Sequence, residues 1–340
     1  MKFTSSLLHR HRFVRFASLI LALLMLCAIF SSCQGEDITD ESTEDTSNEQ
    51  SESVSATAKK KKATEKATLK KQDIELTEEN TVTARVMSFN IRVDEFTPER
   101  IDLVIKMIET YKPDSIGFQE ATEEWMEVLV DRIGEEYDYV GCGRNSDKKG
   151  EANPVFYLKS RFTLIESDTK WLSDSPTVAG SKVSGSAHPR IFTYALLEET
   201  ESGKQFAHIN THLDHTSENA RLRQADILIK HIQEFDSKSI SFVLTGDFND
   251  KSTSQAYTKI ISYGLLNCTS LAKKSETGDT YHNYGQTGKI IDFIFVNAST
   301  AEVEYYRACT ETFTDEEGNV AYPSDHNPII ADIKILGKAQ

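Results

Sequence analysis

Cysteine is scarce in this sequence, with five in 340 residues. Three of them, Cys142, Cys268 and Cys309, fall in the region that we expect to fold, and their spacing does not match that of a zinc site. One disulfide could form in an oxidising compartment, but no pairing follows from the spacing. We therefore expect thiols that are buried and pack as small hydrophobic groups.

Positive charge is also in short supply. Residues 82–340 carry 27 Lys and Arg against 40 Asp and Glu, a net charge near −13. A domain this acidic lacks the basic surface of a tight nucleic-acid binder. The net charge argues only in part against nucleic-acid binding, because a bound divalent cation and a local basic rim can reverse the electrostatic field around a site.

The apolar run at residues 17–30 is shorter than the roughly 20 residues that a membrane-spanning helix needs. Four basic residues precede it: Lys2, Arg10, Arg12 and Arg15. This pattern is typical of a secretory signal. The ending Ser31-Ser32-Cys33 resembles the lipobox of bacterial lipoproteins, in which the cysteine is acylated. We predict a lipoprotein signal peptide over residues 1–32 and lipidation of Cys33; the alternative is an ordinary secretory signal with an incidental cysteine.

Residues 33–81 are predicted to form a linker. Residues 36–52 carry eight acidic and no basic side chains, whereas residues 59–71 carry seven lysines against one glutamate. Such a composition cannot bury enough apolar surface to offset chain entropy, so we expect disorder here. Together with lipidation, this predicts a protein anchored by lipid in the bacterial cell envelope, at the outer membrane or cell surface. A monomer without an obligate protein partner is expected, while the oligomeric state and the membrane leaflet stay open.

Residues 82–340 suit one α/β domain. Helices are predicted to begin near Thr97 and to cover residues 122–133, 217–235 and 254–262. Strands are predicted at residues 82–91, 115–119, 154–158, 162–167, 190–198, 205–211, 240–245, 290–296, 302–308 and 329–335. Strands outnumber helices and often follow each other directly. This favours two packed sheets with outer helices over a doubly wound parallel sheet.

Six polar fragments lie at or just beyond predicted strand ends, where a scaffold of this class presents side chains to a cleft. They are Ser88-Phe89-Asn90, Gly117-Phe118-Gln119-Glu120, Asn210-Thr211-His212, Gly246-Asp247-Phe248-Asn249, Ile291-Asp292-Phe293 and Ser324-Asp325-His326. Asn90, Glu120 and Asp325 supply hard oxygen donors, the ligands that Mg²⁺ or Mn²⁺ prefers. A bound cation of this kind would stabilise charge on a phosphate group.

Two histidines in these fragments could transfer protons or contact phosphoryl oxygens. Each is expected to have a carboxylate partner that fixes its tautomer. Asp292 is the candidate partner for His326, and Glu151 is the candidate partner for His212.

Asp247 could hold the attacking water, and Asn249 could position it and donate to the transition state. Each signal is weak when taken alone. Glu120 could merely complement a helix dipole, Asp247 could lie in an ordinary turn, and His212 could be a satisfied core group. The hypothesis depends on all six fragments occurring in order on suitable elements.

Several motifs carry a resemblance to a known superfamily. They read Ser-Phe-Asn-Ile, Gln-Glu, Asn-Thr-His-Leu-Asp-His, Gly-Asp-Phe-Asn, Ile-Asp-Phe-Ile-Phe-Val and Ser-Asp-His-Asn-Pro. As a set they resemble the endonuclease/exonuclease/phosphatase superfamily, with its deoxyribonuclease-like fold, over about residues 84–336. The resemblance implies a four-layer α/β/β/α sandwich of two packed mixed sheets with outer helices.

The resemblance also implies one catalytic Mg²⁺ or Mn²⁺ and hydrolysis by an in-line water. Glu120 would be the principal metal ligand, with Asn90 beside it. Asp247 and Asn249 would orient the water and stabilise the transition state.

By the same resemblance, His326 would be steadied by Asp292 and act as base or phosphate donor, while His212 contacts the scissile phosphate. Which histidine is base and which is acid stays open. Residues 150–157, Trp171-Leu172-Ser173 and Pro189-Arg190 are similar to a bacterial branch of secreted and lipid-anchored members. This makes Arg190 a candidate phosphate contact; the alternative is a surface ion pair.

The sequence therefore predicts an exported, lipid-anchored phosphoester hydrolase that depends on a divalent metal. Three substrate classes stay open: nucleic acid, a phospholipid headgroup diester, and a small phosphorylated metabolite or glycan. The alternative is a catalytically silent binding lipoprotein on the same fold. Retention of every ionisable position argues against that alternative.

Overall fold

The computed structural model describes residues 75–94 and 96–338. The predicted signal peptide, Cys33 and most of the predicted linker lie outside these residues. Residues 75–80 lead directly into the first strand, which begins at Thr81. The described part of the chain is thus almost entirely the predicted α/β domain.

Fifteen strands occur in the described residues. In chain order they are β1 (Thr81–Asn90), β2 (Ser115–Gln119), β3 (Tyr137–Val140), β4 (Val155–Leu158), β5 (Phe162–Trp171), β6 (Ile191–Glu199), β7 (Gln205–His212), β8 (Phe242–Asp247), β9 (Leu265–Asn267), β10 (Lys274–Glu276), β11 (Asp292–Asn297), β12 (Ala301–Ala308), β13 (Phe313–Thr314), β14 (Val320–Ala321) and β15 (Ile329–Leu336). Every predicted strand is present, while the short strands β3, β9, β10, β13 and β14 were not predicted.

The first four helices lie where capping residues and apolar periodicity predict them, and a short fifth helix was not predicted. They are α1 (Pro98–Tyr111), α2 (Glu123–Ile133), α3 (Glu218–Ser237), α4 (Gln255–Tyr263) and the four-residue α5 (Cys268–Leu271). Thr97, Thr122, Ser217 and Ser254 cap the first four, and each side-chain oxygen accepts from a backbone N–H in the first turn. Among the described helices, none is long and apolar enough to cross a bilayer.

Two large mixed sheets form the body of the domain. The first has the order β10-β12-β15-β1-β2-β4-β3 and the second the order β5-β6-β7-β8-β11-β9. In the first, β1 pairs in parallel with β2 and antiparallel with β15. In the second, β7 pairs in parallel with β8, which pairs antiparallel with β11. The predicted architecture of two packed mixed sheets is confirmed.

Three hydrophobic clusters correspond to the three interfaces between layers. One joins β1 and β2 to α1 and α2, with Trp125 fully buried at its centre. A second lies between the two sheets, and a third joins the second sheet to α3 and α4. Cys268 and Cys309 are buried thiols, Cys142 is partly exposed, and all three are free.

A polar seam crosses the interface between the sheets. His208 on β7 is bonded through Nδ1 to Ser115 Oγ on β2 (2.6 Å) and through Nε2 to Thr245 Oγ1 on β8 (2.9 Å). Gly117 of β2 lies against the same seam, where an added Cβ would be 2.4 Å from Thr245 Oγ1. The absence of a side chain at residue 117 therefore lets the two sheets approach each other next to the site.

Candidate functional site

The ends of neighbouring strands bring the predicted residues together at one edge of the sandwich. In the first sheet Asn90 pairs with Gln119 at the ends of parallel strands, so Glu120 follows directly beside Asn90. In the second sheet His212 pairs with Asp247 in the same way. Because parallel strands end at the same edge, both pairs point toward one cleft.

Two further segments reach this edge from the opposite direction. Asp292 begins β11 and lies opposite Asp247, because β11 runs antiparallel to β8. The segment before β15 is held at the end of β1, where Ser324 Oγ donates to the Asn90 carbonyl at 2.8 Å. The Ser-Asp-His motif that contains His326 is thereby placed beside residues more than 200 positions away in the chain.

Asn90 holds two carboxylates together. Its Nδ2 donates to Glu120 Oε1 and to Asp247 Oδ2, both at 3.0 Å. Its Oδ1 accepts from the Arg92 backbone N–H at 3.0 Å, and Glu120 Oε2 accepts from the Val93 backbone N–H at 2.9 Å. Asn90 thus offers its amide hydrogens to the carboxylates, and its predicted role as a metal ligand stays a prediction.

The donor groups of the cluster fit a divalent cation. Two sets of side chains each place one ligand atom within 4.8 Å of the others: Glu120, His212 and Asp247, and Asp247, Asp292 and His326. Burial, together with the neighbouring Asp292, raises the pKa of Asp247 to about 7. Buried carboxylates this close repel each other, and a bound cation would relieve the repulsion.

Asp325 lies at the margin of this cluster. Its Oδ2 is 3.4 Å from Arg92 Nη1, and its Oδ1 is 4.0 Å from His326 Nε2. Within the described residues it belongs to neither of the two sets of ligand atoms. Its predicted role as a ligand stays a prediction, and the Arg92 guanidinium lies beside the same carboxylate.

The predicted pairing of Asp292 with His326 is present. Asp292 Oδ2 lies 2.9 Å from His326 Nδ1, which leaves Nε2 directed toward Asp247 at 3.8 Å. Burial alone would lower the pKa of His326, but the carboxylate of Asp292, together with those of Asp247 and Asp325, raises it to about 10. These carboxylates therefore favour the protonated form of His326.

His212 differs from His326 in the direction in which its pKa is shifted. Asn249 Nδ2 donates to His212 Nε2 at 2.8 Å and also to the Leu213 carbonyl at 3.1 Å. Complete burial, with the nearby charge of Arg190, lowers the pKa of His212 well below its usual value. The surroundings thus favour the neutral form of His212 and the protonated form of His326.

The predicted pairing of Glu151 with His212 is wrong. The Glu151 carboxylate is held by both terminal nitrogens of Arg144, one of them at 2.8 Å from Oε2. Arg144 is in turn fixed by Trp171, whose Nε1 donates to the Arg144 carbonyl at 2.6 Å. The arginine fork matches both carboxylate oxygens, so Glu151 does not bond to the imidazole. The carboxylate close to His212 Nε2 is that of Asp247, at 3.4 Å.

Two site residues have unusual backbone conformations. Glu120 has φ of 61° and Asn249 has φ of 49°, both in the left-handed region. A residue other than glycine costs on the order of 1 kcal/mol or more there, and such residues cluster at functional sites. The folded domain tolerates this cost at a predicted metal ligand, Glu120, and at a predicted catalytic residue, Asn249.

These side chains line a cavity of about 770 Å³. Its walls include Glu120, Glu151, Arg190, His212, Asp247, Asn249 and His326 from the prediction, together with Arg92, Arg144, His188, His215, Asp250, Lys251, Tyr281, Lys289 and Ile290. The volume exceeds that of a phosphate group and lies in the range of sites for small organic molecules.

Arg190 is buried in this wall, with 3 % of its surface exposed. Its Nη2 lies 3.0 Å from His215 Nδ1, and its Nε has no hydrogen-bond partner among the described residues. No carboxylate of these residues is within ion-pair distance of it, so the alternative of a surface ion pair is wrong. A buried guanidinium without a carboxylate partner favours an anionic ligand.

Several wall residues were not predicted. His215 ends the Asn-Thr-His-Leu-Asp-His motif, and His188 directly precedes Pro189-Arg190, so both signals were present in the sequence. Arg92 follows Asn90 by two residues. Arg144 lies in a loop without any local pattern, and only the folded chain brings it to Glu151.

Comparisons with known proteins show what the chain is similar to. The chain is 29% identical to a mannosyl-6-phosphatase from Bacteroides thetaiotaomicron over 73% of its own length and 98% of that chain, with a TM-score of 0.68. It is 30% identical to an endonuclease/exonuclease/phosphatase protein from Bacteroides vulgatus, covering 75% of this chain and 99% of that one, with a TM-score of 0.67.

A more distant relative is nocturnin from Xenopus laevis, 23% identical over 265 residues. That alignment covers 69% of this chain and 64% of nocturnin, so the chain spans less than two thirds of that relative. The sequence model of the Endonuclease/Exonuclease/phosphatase family matches residues 87–326, from β1 to His326. This is well over half of the chain, and the chain belongs to the endonuclease/exonuclease/phosphatase family, whose members are hydrolases of phosphoester bonds.

Proposed function

We propose that the protein is an exported, lipid-anchored phosphoester hydrolase that depends on Mg²⁺ or Mn²⁺ and removes phosphate from a phosphorylated carbohydrate or similar small metabolite. The observation that carries the proposal is the presence of both carboxylates and a buried guanidinium in one cavity. Glu120 and Asp247 line the cavity together with Arg190, which has no carboxylate within ion-pair distance among the described residues.

The choice of substrate class is supported in two ways. A similar protein, 29% identical, is a mannosyl-6-phosphatase. The cavity of about 770 Å³ suits a phosphorylated monosaccharide, and the net-acidic domain argues against long nucleic acids. The proposal of export and anchoring is supported by the four basic residues, the apolar run that follows them and Cys33.

In this proposal Glu120, with Asn90 and Asp247, holds the divalent cation. When bound, the cation neutralises phosphate oxygens and stabilises charge on the departing alcohol oxygen. Asp247 and Asn249 orient a water, whose oxygen forms a bond to phosphorus as the bond from phosphorus to the alcohol oxygen breaks. Arg190 binds a terminal phosphate oxygen.

The two imidazoles differ in what they can supply. Protonated His326 donates from Nε2 to a phosphate oxygen or to the departing oxygen, and Asp292 stabilises its charge. Neutral His212 cannot act as an acid in that form, and its Nε2 already accepts from Asn249. Asp247 accepts the proton that the attacking water loses, and His326 supplies the proton that the alcohol oxygen gains, so the protons balance once the two groups are restored.

The test is an assay of the full chain on a panel of substrates, with Mg²⁺ and with a chelator. The panel comprises mannose 6-phosphate, other sugar phosphates, a generic phosphodiester, sphingomyelin and DNA. We expect release of inorganic phosphate from sugar phosphates, lost on chelation and in Glu120→Gln. Turnover that survives chelation, or a preference for a diester, would contradict the proposal.

Anchoring is tested on the same expressed chain. Cys33→Ser should move the protein from the membrane fraction to the soluble exported fraction, without changing turnover of a soluble sugar phosphate. Retention of the Cys33→Ser protein in the membrane fraction would favour an anchor of another kind.

A further inference from the structure

Two histidines in the cavity, His188 and His215, have no part in the proposed reaction. They belong to loops held together by one carboxylate, that of Asp214. Its Oδ2 accepts from Ser186 Oγ at 2.9 Å and from the Ala187 N–H at 2.8 Å, next to His188. Its Oδ1 accepts from the N–H and hydroxyl of Thr216 and from the Ser217 N–H, next to His215. These hydrogen bonds therefore hold in place the backbone segments to which both imidazoles belong.

The contact with Arg190 determines the tautomer of His215. A guanidinium can only donate, so His215 Nδ1, at 3.0 Å from Arg190 Nη2, is the acceptor. The ring hydrogen of neutral His215 then lies on Nε2. No hydrogen bond within the described residues involves His215 Nε2 or the ring nitrogens of His188, and both side chains line the cavity. The cavity wall thus presents free imidazole donors and acceptors.

The packing of the two rings favours neutral imidazoles. Their centroids are 5.7 Å apart and the planes are inclined by 20°, a stacked arrangement that two positive charges would oppose. Partial desolvation in the cavity wall, with the charges of Arg144 and Arg190, lowers the pKa of both. A neutral imidazole donates from one nitrogen and accepts at the other, as an alcohol hydroxyl does, whereas a phosphate oxygen requires donors.

We propose that His188 and His215 bind hydroxyl groups of the alcohol part of the substrate and thereby select phosphorylated sugars over phosphate esters that lack hydroxyls. This inference rests on the proposed function, since it concerns the group that remains after phosphate is released. His188 and His215 lie in the exposed part of the cavity wall. A hydrogen bond from either imidazole to a substrate hydroxyl therefore replaces one to water, and its net contribution is up to about 10-fold in affinity.

The experiment compares mannose 6-phosphate with phenyl phosphate for the full chain and two variants. His188→Ala removes one imidazole, and His215→Asn keeps an acceptor for Arg190 while removing Nε2. Each should lower kcat/KM for mannose 6-phosphate by about 10-fold and leave that for phenyl phosphate within about 2-fold. The matched control is His231→Ala on α3, a histidine that does not line this cavity.

A loss of similar size on both substrates, or no loss on the sugar phosphate, would overturn the inference. Binding is measured in parallel by calorimetry in the presence of chelator, with the same two esters. Weaker binding of mannose 6-phosphate by both variants supports the inference even if the wild-type chain releases no phosphate. That combination of results would contradict the proposed function and leave the inference about hydroxyl binding in place. Equal binding by wild type and variants overturns the inference whatever the turnover.

Discussion

The ion pair of Asp292 and His326 shows how one residue sets the chemistry of another. The carboxylate lies 2.9 Å from Nδ1, and both groups are buried, so little solvent screens the interaction. An amide at position 292 would preserve the shape of the side chain but remove the charge that stabilises the imidazolium. The effect of such a change reports on charge and not on packing.

Asp292→Asn is expected to lower kcat on the order of 10²-fold or more, within the range of general acid–base contributions. The loss should not add to that of His326→Ala in the double variant, because both changes disable the same group. Initial rates of phosphate release with Mg²⁺ measure it. Asp226→Asn, which removes a partly exposed partner of Lys259, is the control and should keep full activity. Additive losses would mean that Asp292 acts independently of His326.

At the scale of secondary-structure elements, the sequence predicts the strands and helices that are long enough to show a periodic pattern of apolar residues. The alternation in β1 and the cap and apolar face of α1 are each sufficient by themselves. Strands of two to four residues, such as β13 (Phe313–Thr314), are too short to show any alternation, and they form because a partner strand is present.

The residues of the site fall into the same two groups, those that a local sequence pattern predicts and those that it does not. Side chains at strand ends, such as Glu120 and Asp247, could be predicted because the end of a strand fixes their place. Arg144 lies in a loop whose path depends on distant contacts, for example the bond from Trp171 Nε1 to the Arg144 carbonyl. The partner of Glu151 was predicted wrongly for this reason. No local sequence pattern indicates that Arg144, seven residues earlier, binds the Glu151 carboxylate.

Helix α3 positions two turns of the site through Arg221. Its Nε lies 2.9 Å from Asp250 Oδ2, and its Nη1 donates to the Asp214 carbonyl at 3.0 Å. Asp250 follows Asn249 directly, and Asn249 itself donates to the Leu213 carbonyl. One arginine thereby joins the turn after β7 to the turn after β8.

Arg221→Ala is expected to lower kcat by roughly 10-fold, with a smaller change in KM, because a small displacement of Asn249 misaligns the attacking water. Asp250→Asn should give a similar loss, and the double variant should lose little more. The matched control is Arg223→Ala, two residues later on the same helix, whose partner Asp174 is well exposed. Steady-state kinetics and melting curves of all four variants are compared; an equal loss in Arg223→Ala would point to a general effect on α3.

At the scale of the whole molecule, cohesion of the two sheets involves the buried His208. Its imidazole bridges Ser115 in one sheet and Thr245 in the other, with no exposed surface. Burial lowers its pKa from 6.5 to about 3. The unfolded chain therefore binds a proton on this side chain near pH 6.5, whereas the folded chain does so only near pH 3. His208 thus contributes stability that is fully present above pH 6.5 and is lost progressively as the pH falls toward 3.

The free energy of unfolding of the wild-type chain should consequently fall more steeply with decreasing pH than that of His208→Gln. One proton corresponds to about 1.4 kcal/mol per pH unit, so between pH 7 and 4.5 the extra loss is about 2–3 kcal/mol. Denaturant unfolding at several pH values measures the difference in slope, which is insensitive to any constant destabilisation by glutamine. Thr245→Val removes one hydrogen bond but keeps the imidazole, so it should be less stable at every pH and retain the wild-type slope. Parallel pH profiles for wild type and His208→Gln would mean that the imidazole between the sheets does not titrate differently in the folded and unfolded chain.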